Sequence, residues 1–162
     1  MAKVINIIAC KSNVGKTTLI EGLIKELKLR GHKVATIKHD AHDFEIDKEG
    51  KDTWRHRKAG AEAVLISSKS KMAMIKELKE EISLEDLIDM VCDYDFVIVE
   101  GYKKSDYKKI EVFRSEVSEK IITPKEKLIA VASDIKLNLD GVLEVNINDY
   151  KTLADVVEDV EL

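Results

Sequence analysis

Proline is nearly missing from this chain: Pro124 is the only one in 162 residues, beside seven glycines, two cysteines and one tryptophan. With so few breakers, regular elements can run through most of the length, and neither a collagen-like nor a Pro/Gly-rich disordered chain fits. Cys10 and Cys92 stand far apart and form no C-x-x-C pair. That excludes a disulfide framework and points to free thiols in a reducing, cytoplasmic compartment. Long apolar runs are absent too, none approaching the ~20 residues of a membrane span, so no membrane is expected. The start "MAKVINIIAC" carries no small-residue cleavage site after its apolar run, and a signal peptide is not expected. Neither sign of charge dominates, with 27 basic against 31 acidic groups and a net charge of −4, so no nucleic-acid partner is expected. What is present, 44% hydrophobic and 36% charged residues, describes one soluble domain spanning 1–162, able to bury roughly two thirds of its surface.

Extended and helical patterns alternate along the chain, the mark of an α/β domain. "VINIIA" (4–9) is a short apolar run suited to a parallel strand buried on both faces. Leu19, Ile20, Leu23, Ile24 and Leu27 follow at helical spacing, and Gly31 stands where a left-handed cap would close that helix. Further strands are expected at 33–39, 95–101, 108–114, 127–134 and 142–149, and further helices at 53–58, 84–92 and 150–160. "AVLISS" and "KMAMIKEL", separated by Lys69-Ser70, read as a β-hairpin. Together these predict a three-layer sandwich around a mostly parallel sheet, extended by a hairpin.

Between the first strand and the first helix lies "ACKSNVGKTTLIEGL" (9–23), which ends as a phosphate-binding loop does, in Gly15-Lys16-Thr17. The pattern G-x-x-x-x-G-K-[ST] has Cys10 at its first glycine. Strand, loop and helix in this order turn the match into a P-loop. Backbone N–H groups of Lys11, Ser12, Asn13, Val14, Gly15, Lys16, Thr17 and Thr18 would cradle phosphate oxygens. Lys16 would neutralise charge on the terminal phosphates, and the Thr17 hydroxyl would ligate Mg2+. The open point is Cys10: if its backbone needs a positive φ, the loop is impaired, and otherwise the small side chain is tolerated. Lys11 occupies the place where dimerising P-loop ATPases carry a lysine that crosses to the partner's nucleotide, or it is a solvated charge.

Magnesium would need a carboxylate on a neighbouring strand. "YDFVIVEG" brings Glu100 to the carboxyl end of a buried strand, where ligands of open α/β sheets gather. The other reading of Glu100 is an ordinary strand-ending charge. In "KHDAHDFEIDKEGKDTWRHRKAGA" (38–61), His39, His42, Asp43 and Asp47 could suggest a metal cluster, yet they fall short of a zinc signature. The segment reads instead as a solvated loop or as a switch-type segment, in which Asp40 or Asp47 meets magnesium through water and Lys51 or Arg55 meets an anion. Asp134, closing "AVASD", could accept from the N1–H and exocyclic amine of guanine, or cap the next segment.

The order "GKTTLIEGLI", "TIKHDAHDFEIDKEGKDTWRHRKAGA", "VEGYK", "KIEVFR", "AVASD" closely resembles the MobB family, the molybdopterin-guanine dinucleotide biosynthesis protein B, up to about Asp134. The resemblance implies a GTP-binding P-loop protein with weak GTPase activity. Such a protein assists MobA, the guanylyltransferase that moves GMP from GTP onto molybdopterin. It implies that Gly15, Lys16 and Thr17 hold phosphate and magnesium and that Glu100 acts at the metal. Lys16 and Glu100 are then the residues on which catalysis would rest, and Thr17, Glu100 and Asp47 the metal set. Lys38, His39, Asp47, Gly50, Lys51, Asp52 and Arg55 form the family's loop by resemblance alone. Members usually carry glycine where Cys10 stands, so nucleotide affinity is what this departure bears on.

The function expected is thus a GTP-binding accessory protein of molybdenum-cofactor maturation, with hydrolysis alone on the order of 10⁻³ s⁻¹ because no glutamine or arginine finger can be assigned. Alternatives are a small-metabolite kinase or ligase of the same P-loop class and a nucleotide-binding adaptor that does not hydrolyse. The apolar hairpin, with Met72, Met74 and Ile75, would leave edge groups uncovered, and its pairing with a second copy predicts a homodimer. Packing on its own domain would leave the chain monomeric.

Overall fold

The computed structural model describes residues 2–40 and 44–161, so the expectations for His42 and Asp43 lie outside the described residues. The described chain forms two compact units, residues 2–39 with 84–161 and residues 40–83.

The larger unit is built on a parallel sheet. Its strands are β1 (Lys3–Ile8), β2 (Val34–Lys38), β5 (Phe96–Glu100), β6 (Lys109–Phe113), β7 (Leu128–Ser133) and β8 (Glu144–Asn146). They lie in the order β2-β5-β1-β6-β7-β8, and every neighbouring pair is parallel. β1 begins one residue before its expected stretch, and the others sit within theirs, β8 shortened to three residues. β5 and β6 flank β1 on opposite sides, Ile7 lying beside both Glu100 and Ile110. The carboxyl ends of these three strands therefore share one edge, the place where an open α/β sheet binds ligands.

One face of the sheet is covered by α1 (Lys16–Leu29) and α4 (Tyr150–Glu158). Leu19, Ile20, Leu23 and Leu27 of α1 and Leu153, Ala154 and Val157 of α4 form one buried cluster with Ile5, Ile7, Ile98, Ile110 and Val112. Leu23 is fully buried, and a leucine moved from water to such a site stabilises by about 2 kcal/mol. α1 closes as expected. Gly31 takes φ 90°, its N–H donates to the Lys28 carbonyl, and the His32 N–H donates to the Leu27 carbonyl, the two bonds of a Schellman cap.

On the other face, α3 (Leu84–Asp89) packs Leu84, Leu87 and Ile88 against Ala35, Ile37, Val97 and Val99. Next to it the cover is not helical. Segment 101–108 crosses from β5 to β6, and segment 114–127, ending in the 3-10 turn Lys125–Lys127, leads from β6 to β7. Irregular backbone over a buried sheet needs partners for its polar groups, and three buried sheet side chains supply them. Asn6 Nδ2 donates to the Tyr102 carbonyl (3.0 Å) and the Ser105 hydroxyl (2.9 Å). Lys109 Nζ donates to the carbonyls of Ser105 and Tyr107. The Glu111 carboxylate accepts from the N–H groups of Ile122 (2.9 Å) and Thr123 (2.8 Å). Each of the three is no more than 1% exposed. Burial pushes the Lys109 ammonium below its ordinary range.

The smaller unit holds α2 (Asp52–Lys58) and an antiparallel hairpin of β3 (Ala63–Ser67) and β4 (Met72–Lys76). Arg57 knots it together, donating to Glu45 (2.6 Å) and Glu77 (3.2 Å). In register, Leu65 opposes Met74 and Ser67 opposes Met72. Leu65, Met72 and Met74 are all more than half exposed, so this hairpin face has no cover within its unit.

Candidate functional site

The loop between β1 and α1 is anchored from below by Val14, which is fully buried in the core. Two loop residues turn left-handed, Asn13 at φ 59° and Gly15 at φ 103°; Cys10 is not among them. Asparagine is one of the few residues that visits this region readily, and Gly15 needs no allowance. The freedom that the first glycine of a P-loop would supply is therefore not required at Cys10, whose thiol is free and half-buried.

α1 begins at Lys16 with no side-chain cap at Gly15 and no acidic residue in its first turn. Its first N–H groups and the positive end of its dipole are left to an anion. Thr17 and Thr18 are exposed at this end.

Cations converge on the loop's carbonyls from three segments. Lys16 Nζ lies 3.4 Å from the Lys11 carbonyl, Lys103 Nζ donates to the Cys10 carbonyl at 3.0 Å, and Arg114 Nε donates to the Val14 carbonyl at 3.2 Å. The Arg114 guanidinium also lies over Gly15, where a Cβ would meet Nη2 at 3.1 Å. Lys11, expected to reach a partner subunit or solvent, is paired here with Glu119 of its own chain. The pair holds the ammonium above its ordinary range and the carboxylate below its own.

Glu100 stands half-buried at the end of β5, in register with Ile7 of β1 and Lys38 of β2. Among the described residues its carboxylate has no hydrogen-bond or ion-pair partner. Gly101 follows at φ 97° with its Cα against His39, where a Cβ would sit 3.2 Å from the His39 Cβ. The His39 ring packs on Tyr102, centroids 4.6 Å apart. His39 is thereby part of the Glu100 edge; among the described residues, which do not include His42 and Asp43, no three His, Cys, Asp or Glu gather as a metal site.

Asp134 directly follows β7, and both its oxygens are engaged, Oδ1 by the Ser115 N–H (2.8 Å) and Oδ2 by the Ser115 hydroxyl (2.9 Å). The partner is the segment after β6, not the segment that follows Asp134, so these bonds are neither of its two expected roles. Asp47 belongs to the smaller unit, where Oδ1 accepts from the Thr53 hydroxyl (2.8 Å) and Oδ2 accepts no hydrogen bond among the described residues. Lys51, Asp52 and Arg55 are exposed around the start of α2. Trp54 packs beneath Lys58, whose Nζ lies 5.5 Å from the ring centre.

Lys103, Arg114, Asn6 and Lys109 were not legible as site or supporting residues. A signal existed for the last two. A polar residue inside an apolar strand with neighbours on both sides is buried on either face, so Asn6 in "VINIIA" and Lys109 in "KKIEVFR" must be bonded to something.

This edge brings together an uncapped helix start, three cations that donate to loop carbonyls, and, one strand away, a carboxylate without a hydrogen-bond or ion-pair partner among the described residues. The comparisons bear on the family. Residues 4–134 match the model of MobB, molybdopterin guanine dinucleotide synthesis protein B. The molybdopterin-guanine dinucleotide biosynthesis adapter protein of Escherichia coli is 40% identical over 156 residues, covering 92% of this chain and 88% of its own. That of Haemophilus influenzae is 37% identical, covering 91% and 83%. A crystal structure of molybdopterin-guanine biosynthesis protein B superposes with a TM-score of 0.72 at 27% identity, covering 96% of this chain and 97% of that one. The crystal structure of Bacillus subtilis MobB, at 22% identity, shares the fold with a TM-score of 0.77 over 98% of each chain. The chain belongs to the MobB family, and its work lies in molybdopterin guanine dinucleotide biosynthesis.

Proposed function

We propose that the protein is a GTP-binding adapter that serves a MobA-type guanylyltransferase while GMP is attached to molybdopterin, with GTP held on the loop at 10–17. The observation that carries this reading is the set of cations drawn onto loop carbonyls, one strand away from Glu100, whose carboxylate has no partner among the described residues. Such charges are stabilised far better by phosphate oxygens than by neutral carbonyls. Thr17 and Glu100 are the residues that would hold Mg2+, which when bound would offset charge on the terminal phosphates. Lys16 would exchange the Lys11 carbonyl for phosphate. Lys16→Ala should therefore abolish GTP binding in an equilibrium titration and leave the melting temperature unchanged, since no buried group is removed. A variant that bound GTP as well as the parent would remove the basis of the reading.

The uncovered hairpin face of Leu65, Met72 and Met74 supports a homodimer, because a two-fold contact covers one patch with its own copy. Sedimentation at micromolar concentration should give twice the single-chain mass of 18.3 kDa. A single-chain mass would exclude the dimer.

A further inference from the structure

We propose that Lys103 is the residue that distinguishes a nucleoside triphosphate from a diphosphate on this loop, a role that rests on the nucleotide reading above. Its ammonium donates to the Cys10 carbonyl at 3.0 Å and has no ion-pair partner among the described residues. An ammonium carries three donors and takes its strongest bonds from anions. One neutral carbonyl at the rim of a phosphate loop leaves most of that capacity for a ligand.

The position of Lys103 is built. It is the second residue of a turn closed by the Ser105 N–H on the Tyr102 carbonyl (2.9 Å). Tyr102 enters the turn at φ 47°, directly after Gly101 at φ 97°. A bulky residue held left-handed costs free energy and persists only where its surroundings impose it. Those surroundings are visible: Asn6 Nδ2 donates to the Tyr102 carbonyl and the Ser105 hydroxyl, and Lys109 Nζ to the carbonyls of Ser105 and Tyr107. Two fully buried polar side chains therefore fix the turn that aims Lys103 over the loop.

The side on which it stands gives the specificity. Lys103 follows Glu100 at the end of β5, whereas Arg114 follows β6, on the opposite flank of β1. Glu100, the carboxylate that would hold magnesium, is on the β5 side. The terminal phosphate, present in a triphosphate and absent from a diphosphate, would carry the metal and so would be met from the flank of Lys103 rather than from that of Arg114.

Affinities of GTP and GDP, measured with magnesium on the full-length parent, Lys103→Ala and Lys103→Arg, test this. Lys103→Ala should weaken GTP about tenfold or more, the scale of one charge-assisted bond, and change GDP less than about twofold. Lys103→Arg should restore most of the difference. Equal loss for both nucleotides would make Lys103 a brace of the loop and overturn the proposal, as would no loss for either. A parent that binds GTP with an unchanged GTP to GDP ratio in Lys103→Ala would refute this role alone. A parent that binds neither nucleotide would overturn the underlying reading as well.

Discussion

The two faces of the sheet solve the same problem with opposite chemistry. Beneath α1 and α4 the strands present Ile5, Ile7, Ile98, Ile110 and Val112. Beneath segments 101–108 and 114–127 they present Asn6, Lys109 and Glu111. A helix satisfies its own backbone, so the sheet below it can be wholly apolar. A loop does not, and the sheet must reach up with donors and acceptors. The difference matters for function because the polar face is also the one that positions the turn carrying Lys103, three residues after Glu100.

The largest effect expected from this contrast comes from Glu111. Glu111→Ala removes the acceptor of the part-buried Ile122 bond and of the buried Thr123 N–H, at a cost of about 3 kcal/mol. Leu23→Ala on the helical face should cost a similar ~3 kcal/mol through its cavity. The two losses differ in how they can be repaired. Leu23→Met refills an apolar site and should be nearly neutral, whereas Glu111→Leu restores volume but no acceptor and should stay destabilised. Urea unfolding of the four variants measures this. A Glu111→Leu protein as stable as the parent would show that the loop cover does not depend on sheet acceptors.

The strands and helices were legible because each obeys a simple period: "DFVIVEG" is a short apolar run, and Leu19, Leu23 and Leu27 repeat along one helix face. The hairpin was legible from its turn, Lys69-Ser70. At the site, Gly15-Lys16-Thr17 identified the loop by residue type alone. Whether Cys10 could stand at the first glycine was a question of backbone angle, and it is answered by the left turns falling at Asn13 and Gly15 instead. The bracing cations were hidden for another reason. Lys103 and Arg114 lie about ninety and a hundred positions after the loop and meet it only because β5 and β6 flank β1. Sheet order, unlike periodicity, is not written in any local window. Asp134 shows the same gap: its strand-end place was readable, but its engagement by Ser115 depends on β6 and β7 being neighbours.

The smallest effect tests the helical face at its edge, where α4 still depends on a side chain. Asp149 caps α4, its carboxylate accepting from the Thr152 hydroxyl (2.8 Å) and the Thr152 N–H (3.1 Å). These bonds, the hydroxyl first, hold the Asp149 carboxyl below its ordinary range. A carboxyl depressed in the folded state contributes its stability fully above the unfolded value of about 3.9 and loses it as pH falls through the lower folded value. Asp149→Ala should therefore lower the melting temperature slightly at pH 7, and the gap to the parent should narrow as the pH is taken below about 4. Asp149→Asn keeps an acceptor for the helix start without a charge, so its own contribution should not change with pH. Melting curves from pH 7 to pH 2 decide the point: a parent-to-alanine gap that stays constant over that range would mean that the charge of Asp149 adds nothing to the cap.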